Sequence, residues 1–318
     1  MNKFLQIIQN RNVILLTALA LGLSVPKPAV FLKDSLIWVL AVVMLFSVSG
    51  INFKQLRNIK QAAGISARSI FMNYFIFGAI LLSMSFLLFD DESIQTGFIV
   101  IAATPPGVAV IPFTAIFRGS MKFALIGILG SYLAAIILSP LIITIFTDAK
   151  SADPTRILET IAVVVVVPLI LSRLLRLKKV YPTTEKIRGK ITDIGFALII
   201  YTSIGLNRDL LFSDFKILLY SSLIFIVSMF LTGLLYSFYF SNKISKAANI
   251  SHNLMLTIKS SGFAAATAIT LFDVKAAIPA AILSVFVLLY LLFADLWIPK
   301  QSPLNNLIFR RSKKFSFR

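Results

Sequence analysis

The stretch IAATPPGVAVIPFTAIF (Ile101–Phe117) is apolar enough to enter a membrane, yet Pro105, Pro106 and Gly107 stand near its centre. Two prolines and a glycine interrupt the backbone hydrogen bonds that hold a helix together. At membrane depth, open backbone groups are tolerated only where protein buries them or where they face a wet cavity. The stretch therefore predicts a broken membrane span with a binding site at the break.

A second stretch of this kind, IKSSGFAAATAITLF (Ile258–Phe272), matches the first at an offset of 155 residues. At that offset Gly262 corresponds to Gly107, Lys259 to Thr104, and Ser260-Ser261 to Pro105-Pro106. The repetition predicts a second broken span. We expect the two breaks to approach from opposite sides of the membrane and to cross.

The same offset relates SVSGINFKQL (47–56) to TSIGLNRDLL (202–211). Gly50 then corresponds to Gly205 and Asn52 to Asn207. We expect each glycine to end a span and each asparagine to cap that helix. A constant offset through two separate regions is hard to obtain by chance, and it predicts two halves, residues 1–150 and 151–318.

The composition indicates a polytopic membrane protein. Of the 318 residues 58% are hydrophobic and only 14% are charged, whereas a soluble domain carries roughly 25% charge. Apolar runs long enough to cross or nearly cross a bilayer fall near 11–25, 34–51, 66–89, 94–117, 121–146, 156–176, 191–206, 217–240, 250–272 and 276–298. Five spans in each half would insert the second half upside down, and inverted repeats with paired broken helices are typical of secondary transporters. We therefore predict an all-α fold of about ten transmembrane helices in two inverted five-helix repeats, with the fourth and ninth helices broken and crossing.

Charge predicts the orientation. This placement puts 23 of the 31 Lys and Arg residues on the side of the chain termini and seven on the opposite side. By the positive-inside rule both termini are cytoplasmic, and the protein lies in the cell inner membrane. A net charge of +18 would suggest nucleic acid in a soluble protein, but here we expect no nucleic-acid partner. The tail RRSKKFSFR either touches anionic lipid headgroups or anchors the topology.

The half-helices that begin after the breaks predict a site for an anion. Free N–H groups and the positive end of the helix dipole attract anions, here near Gly107 and Gly262. The predicted substrate-binding residues are Thr104, Pro105, Pro106, Gly107, Lys259, Ser260, Ser261 and Gly262. The alternative is a pair of proline kinks in a packed bundle.

Lys259 is the one ionisable side chain placed deep in the membrane, where such residues are costly and usually functional. We expect it to couple transport to protons, because anion binding would favour the charged amine and the complex would then form best at lower pH. The alternative is that Lys259 extends to the cytoplasmic interface. Asn73, Ser131 and Tyr132 are polar lining candidates, although helix–helix hydrogen bonds are the simpler interpretation.

Several classes of function are disfavoured. The chain has no cysteine and one histidine, so thiolate sites and histidine clusters are excluded. No Asp or Glu lies inside a predicted span near either break, and membrane-embedded hydrolases and prenyl transferases need metal-binding acids or catalytic dyads. We therefore expect no metal site, no cofactor and no enzyme activity.

The residues resemble the bile acid:sodium symporter family over most of the chain. VVMLFSVSGINF is similar to the family's second span, AATPPGVAV to its Pro-Gly-Gly break, and SGFAAATAITLF with KAAIPAAILSVF to its ninth span and the start of its tenth. Ser131 and Ser139-Pro140 stand where its fifth span has Ser and Thr-Pro. The resemblance implies a ten-span fold with panel and core subdomains, alternating access, and organic-anion substrates.

The resemblance also implies sodium sites, whose residues this chain lacks. The glutamate of the family's ninth-span motif is Met255 here, the glutamine is Lys259 and the asparagine is Ser260; a fifth-span Thr is Tyr132. We predict a secondary transporter of a small organic carboxylate that does not use these sodium sites. A non-transporting sensor or scaffold, or a proton or ion antiporter of similar fold, is the alternative, and substrate identity, direction, coupling ion and oligomeric state stay open.

Overall fold

The computed structural model describes residues 11–50, 59–107, 109–147, 155, 159–160 and 162–297. Within these residues every regular element is a helix. Six helices are long and apolar enough to cross a membrane, namely Ala29–Ser49, Ile59–Leu88, Met121–Phe146, Tyr181–Asp209, Phe215–Phe240 and Lys275–Ala294. Shorter apolar helices cover Val13–Ser24, Glu92–Ala103 and Ser261–Leu271. The chain is a multi-pass membrane protein.

We number the helices in chain order. They are α1 (Arg11–Ser24), α2 (Ala29–Ser49), α3 (Ile59–Leu88), α4 (Glu92–Ala103), α5 (Val110–Ile116), α6 (Met121–Phe146), α7 (Val167–Leu171), α8 (Tyr181–Ser213), α9 (Phe215–Phe240), α10 (Lys246–Thr257), α11 (Ser261–Leu271) and α12 (Ile278–Trp297).

Side-chain caps fix where four of these helices begin. Asp91, Ser120, Asp214 and Ser245 precede α4, α6, α9 and α10, and each side-chain oxygen accepts a hydrogen bond from a backbone N–H of the first turn. A capping oxygen satisfies one of the four N–H groups that a helix start leaves open. The residues at which the two broken spans begin, at α4 and α10, are thus specified by the local sequence.

The two breaks fall where the sequence predicts them. α4 ends at Ala103 and α5 begins at Val110, while α10 ends at Thr257 and α11 begins at Ser261. Neither proline of the first break can donate a helical hydrogen bond. In the second break three residues between the helices are enough to change direction.

The predicted span end at Gly205 is wrong. α8 continues through Gly205 to Ser213 and stops only before Asp214, the cap of α9. Asn207 lies buried inside this helix and its Nδ2 donates to the Ser203 carbonyl at 2.9 Å, so it is not a C-cap. Residues 206–213 contain no proline, and one glycine inside a helix is tolerated. Asn52 and the predicted boundary between residues 150 and 151 lie outside the described residues.

Two helices contain a π-helical turn at related positions. In α3 it covers Phe71–Phe77 and in α9 it covers Ile226–Leu231. The two turns begin 155 residues apart, the offset found in the sequence. Such turns widen a helix and frequently lie at functional sites.

The helices pack in two groups. α1, α2 and α7 pack with α8 or with one another, and the remaining helices pack around α4, α10 and α11. The groups meet where α8 contacts α11 and α12, and where α2 contacts α11. The broken helices therefore form the centre of the second group, and α11 connects them to the first.

Polar contacts tie the broken spans together at both ends. At one end Lys275 forms an ion pair with Asp91, and Ser93 Oγ donates to the Asp273 carboxylate at 3.0 Å. Burial by itself would raise the pKa of the Asp91 carboxyl, but hydrogen bonds from Lys275 and from a backbone N–H outweigh burial and hold that pKa below its ordinary value.

At the other end Ser120 N–H donates to the Ala247 carbonyl at 2.9 Å, and Ser251 Oγ donates back to the Ser120 carbonyl at 3.2 Å. The first set of contacts joins the start of α4 to the loop after α11. The second set joins the start of α10 to the loop after α5.

Candidate functional site

The two breaks pair with each other through backbone hydrogen bonds. Pro106 and Lys259 form an antiparallel bridge. Gly107 N–H donates to the Ile258 carbonyl at 3.0 Å, and Ser260 N–H donates to the Pro105 carbonyl at 3.2 Å. Backbone N–H and C=O groups that the two broken helices leave without helical partners therefore bond to each other across the crossing. Such pairing is needed at membrane depth, where no lipid group can replace it.

The Lys259 side chain caps the end of α4. Its Nζ donates to the Ala102 carbonyl at 2.9 Å and to the Thr104 carbonyl at 2.7 Å. The residue is 1% exposed. Since the carbonyls at a helix C-terminus carry the negative end of its dipole, an ammonium there is held by both charge and geometry. Lys259 does not extend towards an interface.

Two aromatic rings cover the ammonium. The Tyr74 ring centroid is 4.6 Å from Lys259 Nζ and the Phe77 centroid is 5.8 Å away. Both rings belong to the π-helical turn of α3. Cation–π attraction strengthens when the cation is removed from water, so this turn stabilises the buried charge. No acidic residue of the described chain forms an ion pair with it.

A small cavity lies beside the crossing. Five of the predicted residues line it: Gly107, Lys259, Ser260, Ser261 and Gly262. Thr104, Pro105 and Pro106 are buried in the crossing but do not line the cavity. The eight predicted substrate residues are thus brought together at the crossing. Five of them line the cavity, and the other three are buried beside it.

Asn73, Ser131 and Tyr132 do not line this cavity. Asn73 Nδ2 donates to the Met255 carbonyl at 3.3 Å, which joins α3 to α10. The Ser131 carbonyl accepts from Tyr74 Oη at 3.4 Å, which joins α3 to α6. Tyr132 is buried on α6. Asn73 and Ser131 therefore lie at contacts between helices.

A comparison with known protein families matches residues 9–295 to the SBF-like CPA transporter family. The chain belongs to this family. The family is bile acid:sodium symporter-like, so the resemblance is confirmed at that level, and membership makes the chain a membrane transporter. A comparison with curated proteins finds no match.

The cavity also has an apolar wall, which the sequence alone does not reveal. In this member of the SBF-like CPA transporter family, Leu15 of α1, Phe196 and Ile200 of α8, and Val287 and Leu288 of α12 form that wall. These residues come from both helix groups. A leucine or phenylalanine inside an apolar span gives no signal of its own, so only the packing of α8 against α11 reveals them.

The described residues offer no candidate metal centre. Among them, no group of three or more His, Cys, Asp or Glu side chains is close enough to hold an ion. Position 255 carries the apolar side chain of methionine at 0% exposure. In this SBF-like CPA transporter the basic group at the crossing is the Lys259 side chain.

Proposed function

We propose that this protein is a secondary active transporter that carries a small organic carboxylate across the cytoplasmic membrane by alternating access. The observation that carries the proposal is the buried ammonium of Lys259 at the crossing of two broken helices. The protonated amine offsets the negative charge of a substrate that leaves water. Ser260, Ser261 and Gly262, at the start of α11, line the cavity. The N–H groups of Ser260 and Ser261 bond to the Pro105 and Lys259 carbonyls, so the serine hydroxyls and the next N–H groups of this first turn are proposed to receive the anion.

Support for an inverted-repeat architecture comes from three pairs of features. The breaks correspond, the half-helices α4 and α10 each contain 12 residues, and the π-helical turns of α3 and α9 begin at the same offset. We propose ten spans in two five-helix units, with α4–α5 and α10–α11 as the broken fourth and ninth. Substrate sites of such transporters lie at the interface of the repeats.

The same site argues for sodium independence. The resemblance implies a carboxylate at the position of Met255 and an amide at that of Lys259. An apolar side chain supplies no ligand to a hard cation, and an ammonium nearby repels one. The donor set at the crossing therefore does not fit sodium. We propose that Lys259 supplies the positive charge and that its protonation is the coupling event.

The proposed orientation places both termini in the cytoplasm of the cell and the protein in the inner membrane, with lipids as its surroundings. It rests on the excess of Lys and Arg on the side of the termini. Arg173 and Arg176, which lie on that side, donate to the Val48 and Ser49 carbonyls at the end of α2. These contacts fit a basic, water-facing end of the helix.

The test is exchange of radiolabelled carboxylates by purified protein in proteoliposomes, with sodium and with potassium as the only cation. We expect exchange in both buffers. The variant Lys259→Met should lose it, whereas Lys275→Met, which removes a partly exposed lysine from the ion pair with Asp91, should retain it. Absence of both exchange and ligand binding for every carboxylate tried would show that the proposed function is wrong.

A further inference from the structure

The cavity beside the crossing is small. Its volume is about 40 Å³, and about 10–15 Å³ on this scale holds one water molecule. The cavity therefore holds roughly three water-sized groups, which matches the two oxygens and the carbon of one carboxylate. Any larger body of the substrate must lie against the apolar wall.

The polar groups of the cavity that are free to receive an anion come from the crossing. Lys259 is the one charged residue that lines it, and Ser260 and Ser261 stand next to it. Ser284, on α12, has its hydroxyl bound to the Ala280 carbonyl at 3.1 Å. Leu15, Phe196, Ile200, Val287 and Leu288 form the apolar side of the cavity, and Ala109 and Ile258 add apolar side chains at the crossing itself. A second carboxylate on the substrate would lie against that side without a partner, and burying an unpaired charge is strongly unfavourable.

Phe196 lies against the start of α11 at the edge of the cavity. A methyl group added at Gly262 would lie 2.9 Å from Phe196 Cδ1 and 3.7 Å from Ile199 Cγ2. The ring therefore touches the backbone at the place where the anion is proposed to bind. Because Phe196 is 8% exposed and belongs to the other helix group, it limits how far an apolar tail can extend between α8 and α11.

We infer that the transporter selects short-chain monocarboxylates, and that Phe196 sets the upper limit of their length. The inference rests on the proposed function and adds to it the substrate class and one residue that determines specificity. It follows from the contact of Phe196, on α8, with Gly262 at the start of α11.

The experiment measures binding to the purified protein in nanodiscs, using acetate, butyrate, hexanoate, octanoate and succinate as probes. Wild-type protein should bind acetate or butyrate at least about tenfold more tightly than octanoate or succinate, because one misplaced methylene in a pocket is worth about tenfold or more. Phe196→Ala should shift the preference towards hexanoate and octanoate by about tenfold or more relative to butyrate. Ile194→Ala, on the same helix but 55% exposed, should leave the order unchanged.

The outcomes separate the two proposals. If wild-type protein binds probes in a manner that depends on Lys259 but Phe196→Ala does not change the chain-length order, the role of Phe196 is refuted while the transport function stands. If succinate binds as tightly as butyrate, the monocarboxylate class is refuted. If no probe binds but another carboxylate is exchanged in proteoliposomes, this inference is refuted and the proposed function stands; if no carboxylate is bound or exchanged, both fail. Should Phe196→Ala not fold, Ile200→Ala removes a neighbouring part of the same wall and is expected to shift the order in the same direction.

Discussion

Replacing Lys259 with methionine tests the central feature of the site, because methionine is of similar length and carries no charge. The change removes the two hydrogen bonds to the Ala102 and Thr104 carbonyls. Leaving two buried carbonyls without a partner costs about 1–3 kcal/mol each. Removing a buried ion also removes its desolvation penalty, which is several kcal/mol. Since the two effects oppose each other and are similar in size, we expect the variant to fold with a melting temperature close to that of wild type.

The effect on anion binding has no such compensation. For an anion roughly 6 Å from the ammonium, Coulomb's law at an effective dielectric constant of about 20 gives about 3 kcal/mol. That energy corresponds to roughly a hundredfold change in Kd. Lys259→Met should therefore lose about two orders of magnitude in carboxylate affinity while it keeps its fold.

The assay is binding of butyrate to purified protein by isothermal titration, repeated at several pH values and with Lys275→Met as the matched control. In wild type and in the control, binding should weaken as pH rises, because the neutral amine no longer attracts the anion. In Lys259→Met the affinity should be low at every pH. A Kd within about threefold of wild type in Lys259→Met, or strong sodium dependence in the native protein, would refute the mechanism. The threefold limit is far smaller than the roughly hundredfold effect expected from the charge.

Three further outcomes are expected. The double variant Pro105→Ala/Pro106→Ala should let the fourth span continue as a helix, so transport should fall while expression, followed by gel filtration, stays near normal; unchanged transport would make the break a simple kink. Cysteines placed at Lys60, Lys179 and Ser312 should resist impermeant maleimide applied outside intact cells, whereas those at Glu92 and Ser151 should be labelled. The chain has no native cysteine that would react in the background. Labelling at Ser312 would overturn the proposed orientation. Lys259→Gln should not gain sodium dependence in a transport assay, because position 255 is still methionine, and a gain of sodium dependence would contradict the assigned role of that position.

The sequence predicts the breaks well because their signals are local. A helix cannot pass through Pro105 and Pro106 without losing backbone hydrogen bonds, and the second break is found because its residues repeat the first at one offset. Lys259 is conspicuous for a similar reason, since a charged residue in an apolar span is rare. What the sequence misses is the direction of its side chain. Hydrogen bonds to Ala102 and Thr104, 157 and 155 residues away, depend on the crossing itself.

The aromatic and aliphatic partners could not be found from the sequence for another reason. Tyr74 and Phe77 lie in an apolar run, and only the π-helical turn brings both rings near Lys259. Phe196 and Ile200 are two of many apolar residues on α8. The prediction at Gly205 failed because a single glycine is a weak stop signal, and tertiary packing carries α8 through it.

The pairing of the breaks across the two halves has a consequence for biogenesis. The acceptor for Gly107 N–H is Ile258, and the donor to the Ala102 and Thr104 carbonyls is Lys259. A ribosome that makes about 5–20 residues per second needs roughly 8–30 s to travel from the first break to the second. During that time the nascent first half carries unsatisfied peptide groups at membrane depth. We expect these groups to be satisfied by water, by lipid defects or by an insertion chaperone until Ile258 and Lys259 have been made. A chain truncated before the second break should therefore be degraded faster than the full-length protein.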